Sequence, residues 1–388
     1  MRDRDDQRRI DRLGALLAGI GALAAVLLPF VIAKPNRIVA GEPLGLVAAL
    51  PGAAGWPVAA VLLLAGVLTI LDRRPGVRLA VAGAALAAVC LAVGVAADGL
   101  TPEGDRYGRV SPGGAFWLLA AVSLLAATDA LARMSLRPAG RIGALVIAAG
   151  ATAALLASGA WADLSFMREY AARADVFWRE AARHGVLAVG SLAAAIAMGL
   201  PLGILCHRSA RLRQALMPTL TLIQTIPSMA LFGILMAPLG ALAAALPLAH
   251  DLGIRGIGLA PALLALFLYA LLPVVANTAV GLADVPAAVT DAGRGMGLTD
   301  RQLLTRVELP LAFPVILTGI RIVLVQNIGL ATVAALIGGG GFGTFVFQGI
   351  GQTAMDLVLL GAVPTIALAF ASAVILDAAA EAARRRPA

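Results

Sequence analysis

Two cysteines and three histidines leave this chain poor in thiols and metal ligands, so neither a disulfide framework nor a metal site is read from it. Cys90 lies inside an apolar run and Cys206 at the end of another. His184, His207 and His250 stand near run ends, far apart in sequence. Lysine is scarcer still: Lys34 is the one lysine in 388 residues. A phosphate loop needs Gly-Lys-Ser/Thr after its glycines, so the run Gly338, Gly339, Gly340, Gly341 is not one. Charged residues make up 13% of the chain, too few to coat a soluble protein of this length. Acids inside apolar runs are nearly absent, Asp129 and Asp377 standing near run ends. Gly-x-Ser-x-Gly, His-Glu-x-x-His and paired intramembrane carboxylates are all missing, which sets aside a membrane-embedded enzyme.

What is abundant is oil. Hydrophobic residues make up 60% of the chain and the mean hydropathy is +0.92. Apolar runs recur at about 13–33, 57–71, 79–97, 115–131, 142–160, 185–205, 215–240, 257–281, 312–335 and 356–378, near the ~20 residues that a spanning helix needs. The expectation is an all-α membrane protein of about ten transmembrane helices, because a backbone in lipid must satisfy its own hydrogen bonds. The first run is expected to be an uncleaved anchor, being long for a signal-peptide core.

The net charge of +8 does not gather into one basic face, which sets aside nucleic acid. The arginines fall in short loops. With the N-terminus inside, twenty of the 30 basic residues lie on the cytoplasmic side and nine opposite, Arg321 lying within a run. Both termini are then cytoplasmic. The chain reads as a module of about five spans (1–160), an amphipathic linker on the outer surface (161–184, with MREYAARADVFWREAAR at 167–183), a second module (185–380) and a basic tail (381–388).

The second module is organised around its longest polar interruption, DVPAAVTDAGRGMGLTDRQLLTRVELP at 284–310. Pro286 suits the first turn of a short helix. Gly295 and Gly297 stop it. Thr299 and Gln302 have capping-box spacing and start a second helix, which Pro310 should end. A helix–bend–helix elbow between two spans is expected, with small residues on its first helix.

This elbow resembles the EAA loop of permease subunits of ATP-binding-cassette importers. Asp291-Ala292-Gly293, then Gly297, then Val307-Glu308-Leu309-Pro310 stand at the family's spacing, with Asp for Glu, Gly for Ala and Val for Ile. Further stretches carry the likeness: Gln224-Thr225-Ile226-Pro227-Ser228, Asn277-Thr278, Gly319-Ile320-Arg321, Asn327 to Thr332, and Gly338 to Ile350. Together they resemble the permeases of glycine betaine, choline and related quaternary-amine (osmoprotectant) importers over about 185–380. The extra N-terminal spans resemble a subgroup with long permeases.

The resemblance implies a type I importer core of five helices in a bacterial inner membrane. It implies a coupling helix that docks on a separate ATPase subunit, where ATP and magnesium bind, this chain holding no cofactor. It implies a periplasmic substrate-binding protein and a second permease, identical or related. Gln224, Thr225, Asn277, Gln326, Asn327 and Thr332, with a kink at Pro227, are the candidate translocation path, since uncharged polar residues in spans face water or other helices. The four glycines are the candidate external turn or gate. The alternative is an ion-coupled carrier, which would need ionisable groups inside its spans.

Overall fold

The computed structural model describes residues 11–36, 39–72, 74–102, 104–105, 107–251 and 253–384. Arg2, Arg4, Arg8, Arg9, Arg37, Arg73, Arg106, Arg385 and Arg386, used above to orient the chain, lie outside them. Among the described residues, eight helices are long and apolar enough to cross a membrane, and two shorter apolar helices, Arg12–Leu27 and Gly55–Leu71, accompany them. The chain is a predominantly helical membrane protein, and it divides into two compact units: Met1–Arg137 with Val146–Ala172, and Pro138–Leu145 with Arg173–Ala388.

The first unit begins with α1 (Arg12–Leu27), capped by the Asp11 carboxylate, which accepts from the Gly14 N–H. The first apolar run does not continue as helix to residue 33. Leu28 is extended, as residues before proline are, and after Pro29 the chain becomes strand β1 (Val31–Lys34). β1 pairs antiparallel with β2 (Glu42–Leu44) and β3 (Arg109–Pro112), in the order β2-β1-β3. This small sheet was not foreseen from the sequence. Between its strands run α2 (Gly55–Leu71) and α3 (Pro75–Leu100); α4 (Gly114–Arg133) follows, and of α5 (Pro138–Ala157) the residues from Val146 onward belong to this unit. Phe30, Val31, Val89, Val93, Phe116 and Leu164 make its core.

A charged cluster built around a buried arginine sits in this unit. Arg78, 1% exposed, donates through Nη1 to Asp11 at 2.7 Å and to the Thr69 carbonyl at 3.0 Å, and through Nη2 to Asp129 at 2.9 Å. Arg133 pairs with the same two acids, at 2.7 and 2.8 Å. Four charges thus close into a ring joining α1, α3 and α4.

The segment expected to lie flat on the membrane is two helices. α6 (Ser165–Ala172) ends at Arg173, whose ψ of 27° breaks the helix. α7 (Ala174–Gly185) then runs through a π turn, Val186–Gly190, directly into α8 (Ser191–Arg208). α7 belongs to the second unit and buries one face there.

The second unit continues with α9 (Ala210–Thr225) and α10 (Ser228–Ala245). The single run expected at about 215–240 is therefore two helices, parted at Ile226 and Pro227, where extended backbone replaces helix. The short α11 (Pro247–Asp251) leads to α12 (Leu259–Ala283), the most enclosed span. An added Cβ at Gly203 of α8 would stand 2.5 Å from the Thr278 Cβ of α12, so these backbones approach as only glycine permits. The elbow comes next, then α15 (Leu309–Val333), a 3-10 turn (Ala334–Ile337), α16 (Gly343–Gly351) and α17 (Met355–Arg384). Its two helices, α13 (Ala287–Gly295) and α14 (Asp300–Leu303), are described below.

Arg321, which lies within a run, pairs with Asp377 of α17 at 2.5 Å. Asp377 also takes Arg141 at 2.8 Å.

Candidate functional site

The elbow forms by local rules. Pro286 is the N-cap of α13 and not, as expected, a residue of its first turn. Gly295 is its last helical residue. Gly297 at φ +81° turns the chain, and the Leu298 N–H reaches back to the Gly293 carbonyl at 3.1 Å, the six-to-one bond of a Schellman ending. Thr299 then caps α14. Its N–H donates to Gln302 Oε1 at 2.9 Å and its Oγ1 accepts from the Gln302 N–H at 3.3 Å, completing the expected box. Thr299→Ala should cost about 1 kcal/mol of local stability. Faster amide exchange over 300–303, with the rest of the chain unchanged, would show it.

Pro310 does not end the second elbow helix. The chain stays helical from 300 to 337, because a π turn at Leu304–Glu308 widens the ladder just where the proline ring would crowd a carbonyl one turn back. Glu308, in that turn, is buried and lies 3.8 Å from Arg208 at the end of α8. This tie between elbow and α8 escaped sequence reasoning, since its partners are 100 residues apart.

The elbow's halves meet at Gly293. It is the buried residue of α13, and a Cβ there would stand 2.7 Å from Leu303 Cδ1. The glycine that departs from the family pattern is thus the one that lets α14 pack close. The rest of α13 faces outward. Asp291 and Ala292 are exposed, with Asp291 paired to Arg294 at 3.3 Å. Pro286, Ala287, Ala288 and Val289 are exposed too, Val289 at 39%, and Met296 reaches 76%. Val307 and Leu309 are half-buried, and Pro310 is exposed. An apolar, small-residue surface on a short helix between two spans can accept a close-fitting partner.

The candidate path residues divide. Gln224 Nε2 donates to the Tyr269 carbonyl at 2.9 Å, and the Tyr269 hydroxyl donates to the Ile226 carbonyl. The Ile226 carbonyl at the Pro227 break is therefore held by a tyrosine that sequence reasoning missed. Thr225 and Pro227 are exposed; Asn277, Gln326 and Thr332 are half-buried. Asn277 packs at Gly319, and its Nδ2 donates to the Pro273 carbonyl at 2.8 Å. Thr332 donates to the Gly329 carbonyl at 2.6 Å. Asn327 is wholly buried and donates to Ser191 of α8 at 2.8 Å, so it joins two helices.

The four glycines form a turn after the 3-10 segment. Gly338, Gly340 and Gly341 have φ of +78°, +76° and +86°, and Gly339, Gly340 and Gly341 are buried. The turn is not a free loop. Its backbone is gripped by Glu180 and His184 of α7, four residues apart on that helix's buried face.

Comparison with known proteins covers most of the chain. Residues 199–387 match the family described as binding-protein-dependent transport system inner membrane component. Residues 11–167 match the N-terminal domain of the ABC transporter permease YehY. The osmoprotectant import permease OsmW of Salmonella typhimurium strain LT2 is 44% identical over 191 residues, 49% of this chain and 80% of that one. The carnitine transport permease OpuCB of Listeria monocytogenes is 37% identical over 187 residues, 48% and 78% of the two chains. The glycine betaine/carnitine/choline permease OpuCD of Bacillus subtilis strain 168 is 36% identical over 188 residues, 48% and 75%. Among solved structures, the inward-facing MetNI methionine ABC transporter aligns over 54% of this chain and 97% of its own. It does so at 22% identity and a TM-score of 0.46.

Proposed function

This chain belongs to the binding-protein-dependent transport system inner membrane component family, and from that premise we propose that it forms the translocation path of an ATP-driven importer for a compatible solute such as glycine betaine or choline. The observation that carries the reading is the elbow. It sets a short helix with exposed small and apolar residues between two spans of the second unit, held by a Schellman ending and by the capping box of the helix that follows. A separate ATPase subunit, holding ATP and magnesium, docks on α13. A periplasmic binding protein delivers solute opposite, and a second permease, identical or related, completes the path. Both termini and the elbow then face the cytoplasm of a bacterial cell.

The substrate class rests on the named relatives. Aromatic residues, which hold quaternary amines by their ring faces, make up only 5% of the chain, so selection falls mainly to the binding protein. The ion-coupled alternative would need free acids in the spans, and the two near span ends are tied up. Asp129 is bound to Arg78 and Arg133, and Asp377 to Arg321 and Arg141. Neither acid is free to exchange an ion without breaking two pairs.

The test puts a charge on the docking face. Ala288→Glu with Met296→Glu, both at exposed positions, should leave the permease folded in the membrane. Co-purification with the ATPase should weaken at least about tenfold, and ATP-driven betaine uptake should fall in step. Uphill uptake by the purified permease on an ion gradient, without any ATPase, would overturn the reading.

A further inference from the structure

Helix α7 lies in the stretch between the two matched family segments. Its outer face carries Trp178 and Arg179, and its inner face carries Glu180 and His184. Glu180 is only 4% exposed. A carboxylate so enclosed persists only where donors surround it. Here Oε2 accepts from the Gly341 N–H at 2.7 Å and from the Thr344 hydroxyl at 3.4 Å, while Oε1 accepts from Arg183 at 3.1 Å. The next amide along, Phe342 N–H, donates to His184 Nδ1 at 3.4 Å.

Consecutive N–H groups in a left-handed glycine turn make a concavity of the kind that binds anions. This protein fills it with its own side chain. The fit leaves no slack: an added Cβ at Gly340 would stand 2.7 Å from Glu180 Oε2 and 2.8 Å from Arg183 Cδ, and one at Gly341 would stand 3.1 Å from His184 Nδ1. Phe177 of the same helix lies over Phe342 and Phe345, at ring distances of 5.4 and 6.1 Å. The turn also joins the helical run that begins at the elbow to α16.

We infer that Glu180 is a positioning residue of the transport cycle: its carboxylate latches the Gly338–Phe342 turn in the closed state of the path's end opposite the elbow, and the turn moves when that anion leaves it. The inference rests on the reading of the chain as an importer permease. The negative charge matters, because a charge-assisted bond to a backbone N–H is about twice as strong as a neutral one. Glu180→Gln keeps an acceptor and loses the charge; Glu180→Ala removes both.

The complete transporter, with its ATPase and binding protein, is reconstituted in proteoliposomes in a Cys90→Ala, Cys206→Ala background carrying Val346→Cys, a half-buried position of α16 outside the latch contacts, as reporter. Glu180→Ala is expected to speed labelling of that reporter by a membrane-impermeant maleimide about tenfold, the loss of one charged hydrogen bond. ATP hydrolysis without binding protein should rise, so that stimulation by loaded binding protein falls about fivefold or more. Glu180→Gln should lie between. A residue needed only for folding would lower the amount of transporter and leave labelling rate and stimulation ratio per transporter unchanged; that result overturns the latch. If Glu180→Ala does not accumulate, Glu180→Gln carries the same comparison. If labelling quickens in a parent complex that shows no ATP-driven uptake, the importer reading falls instead, and with it the latch's place in a cycle.

Discussion

Gly293→Val is expected to cut ATP-driven uptake about 5- to 150-fold while the permease still reaches the membrane. The valine Cβ would enter at 2.7 Å from Leu303 Cδ1, and its two methyls would press further into the same space. Overpacking of this kind costs about 1–3 kcal/mol, which depopulates the docked elbow by the stated factor if docking needs α13 and α14 in contact. Two neighbours serve as comparisons. Gly295→Ala meets nothing within 4 Å and has helical backbone, so it should be neutral or slightly stabilising. Gly297→Ala also has open space around it but sits at φ +81°, where a side chain costs about 1–2 kcal/mol of backbone strain. The expected order of uptake per transporter is Gly295→Ala, then Gly297→Ala, then Gly293→Val. Equal uptake for the first and last would show that elbow geometry transmits nothing.

Arg78→Ala should destabilise the first unit by about 3–5 kcal/mol, the cost of leaving enclosed charges without their partner. Arg78 alone touches Asp11, Asp129 and the Thr69 carbonyl at once, so its loss opens the ring at its one fully buried member. Arg133 stands a third exposed and water can replace it, so Arg133→Ala should cost only about 1 kcal/mol or less. Thermal unfolding in detergent separates the two. A smaller shift for Arg78→Ala than for Arg133→Ala would mean that the ring is a surface ornament of this unit and not its clasp.

What the sequence disclosed and what it hid follow from distance along the chain. The capping box of Thr299 and Gln302 and the turn at Gly297 are decided within a few residues, and they stand where the pattern puts them. Runs of apolar residues marked the spans for the same reason. The strand Val31–Lys34 was hidden because an oily run has no period that parts strand from helix; only Pro29 hinted at the change. Pro310 misled because a proline's effect depends on whether the ladder can widen before it, and the π turn does widen. The Glu180 contact with Gly341, the Arg321 pair with Asp377 and the hold of Tyr269 on Ile226 join residues far apart. No local rule reaches them. The polar path candidates were found by type alone, and type does not separate Asn327, enclosed against Ser191, from exposed Thr225.

The unbroken helical run from 300 to 337 has a mechanical consequence. At about 1.5 Å per residue its axis extends roughly 57 Å, longer than a bilayer's hydrocarbon core is thick. One continuous helix thus ties the elbow beside Thr299 to the turn beside Gly338, and its π and 3-10 turns, Leu304–Glu308 and Ala334–Ile337, are the places where it can give.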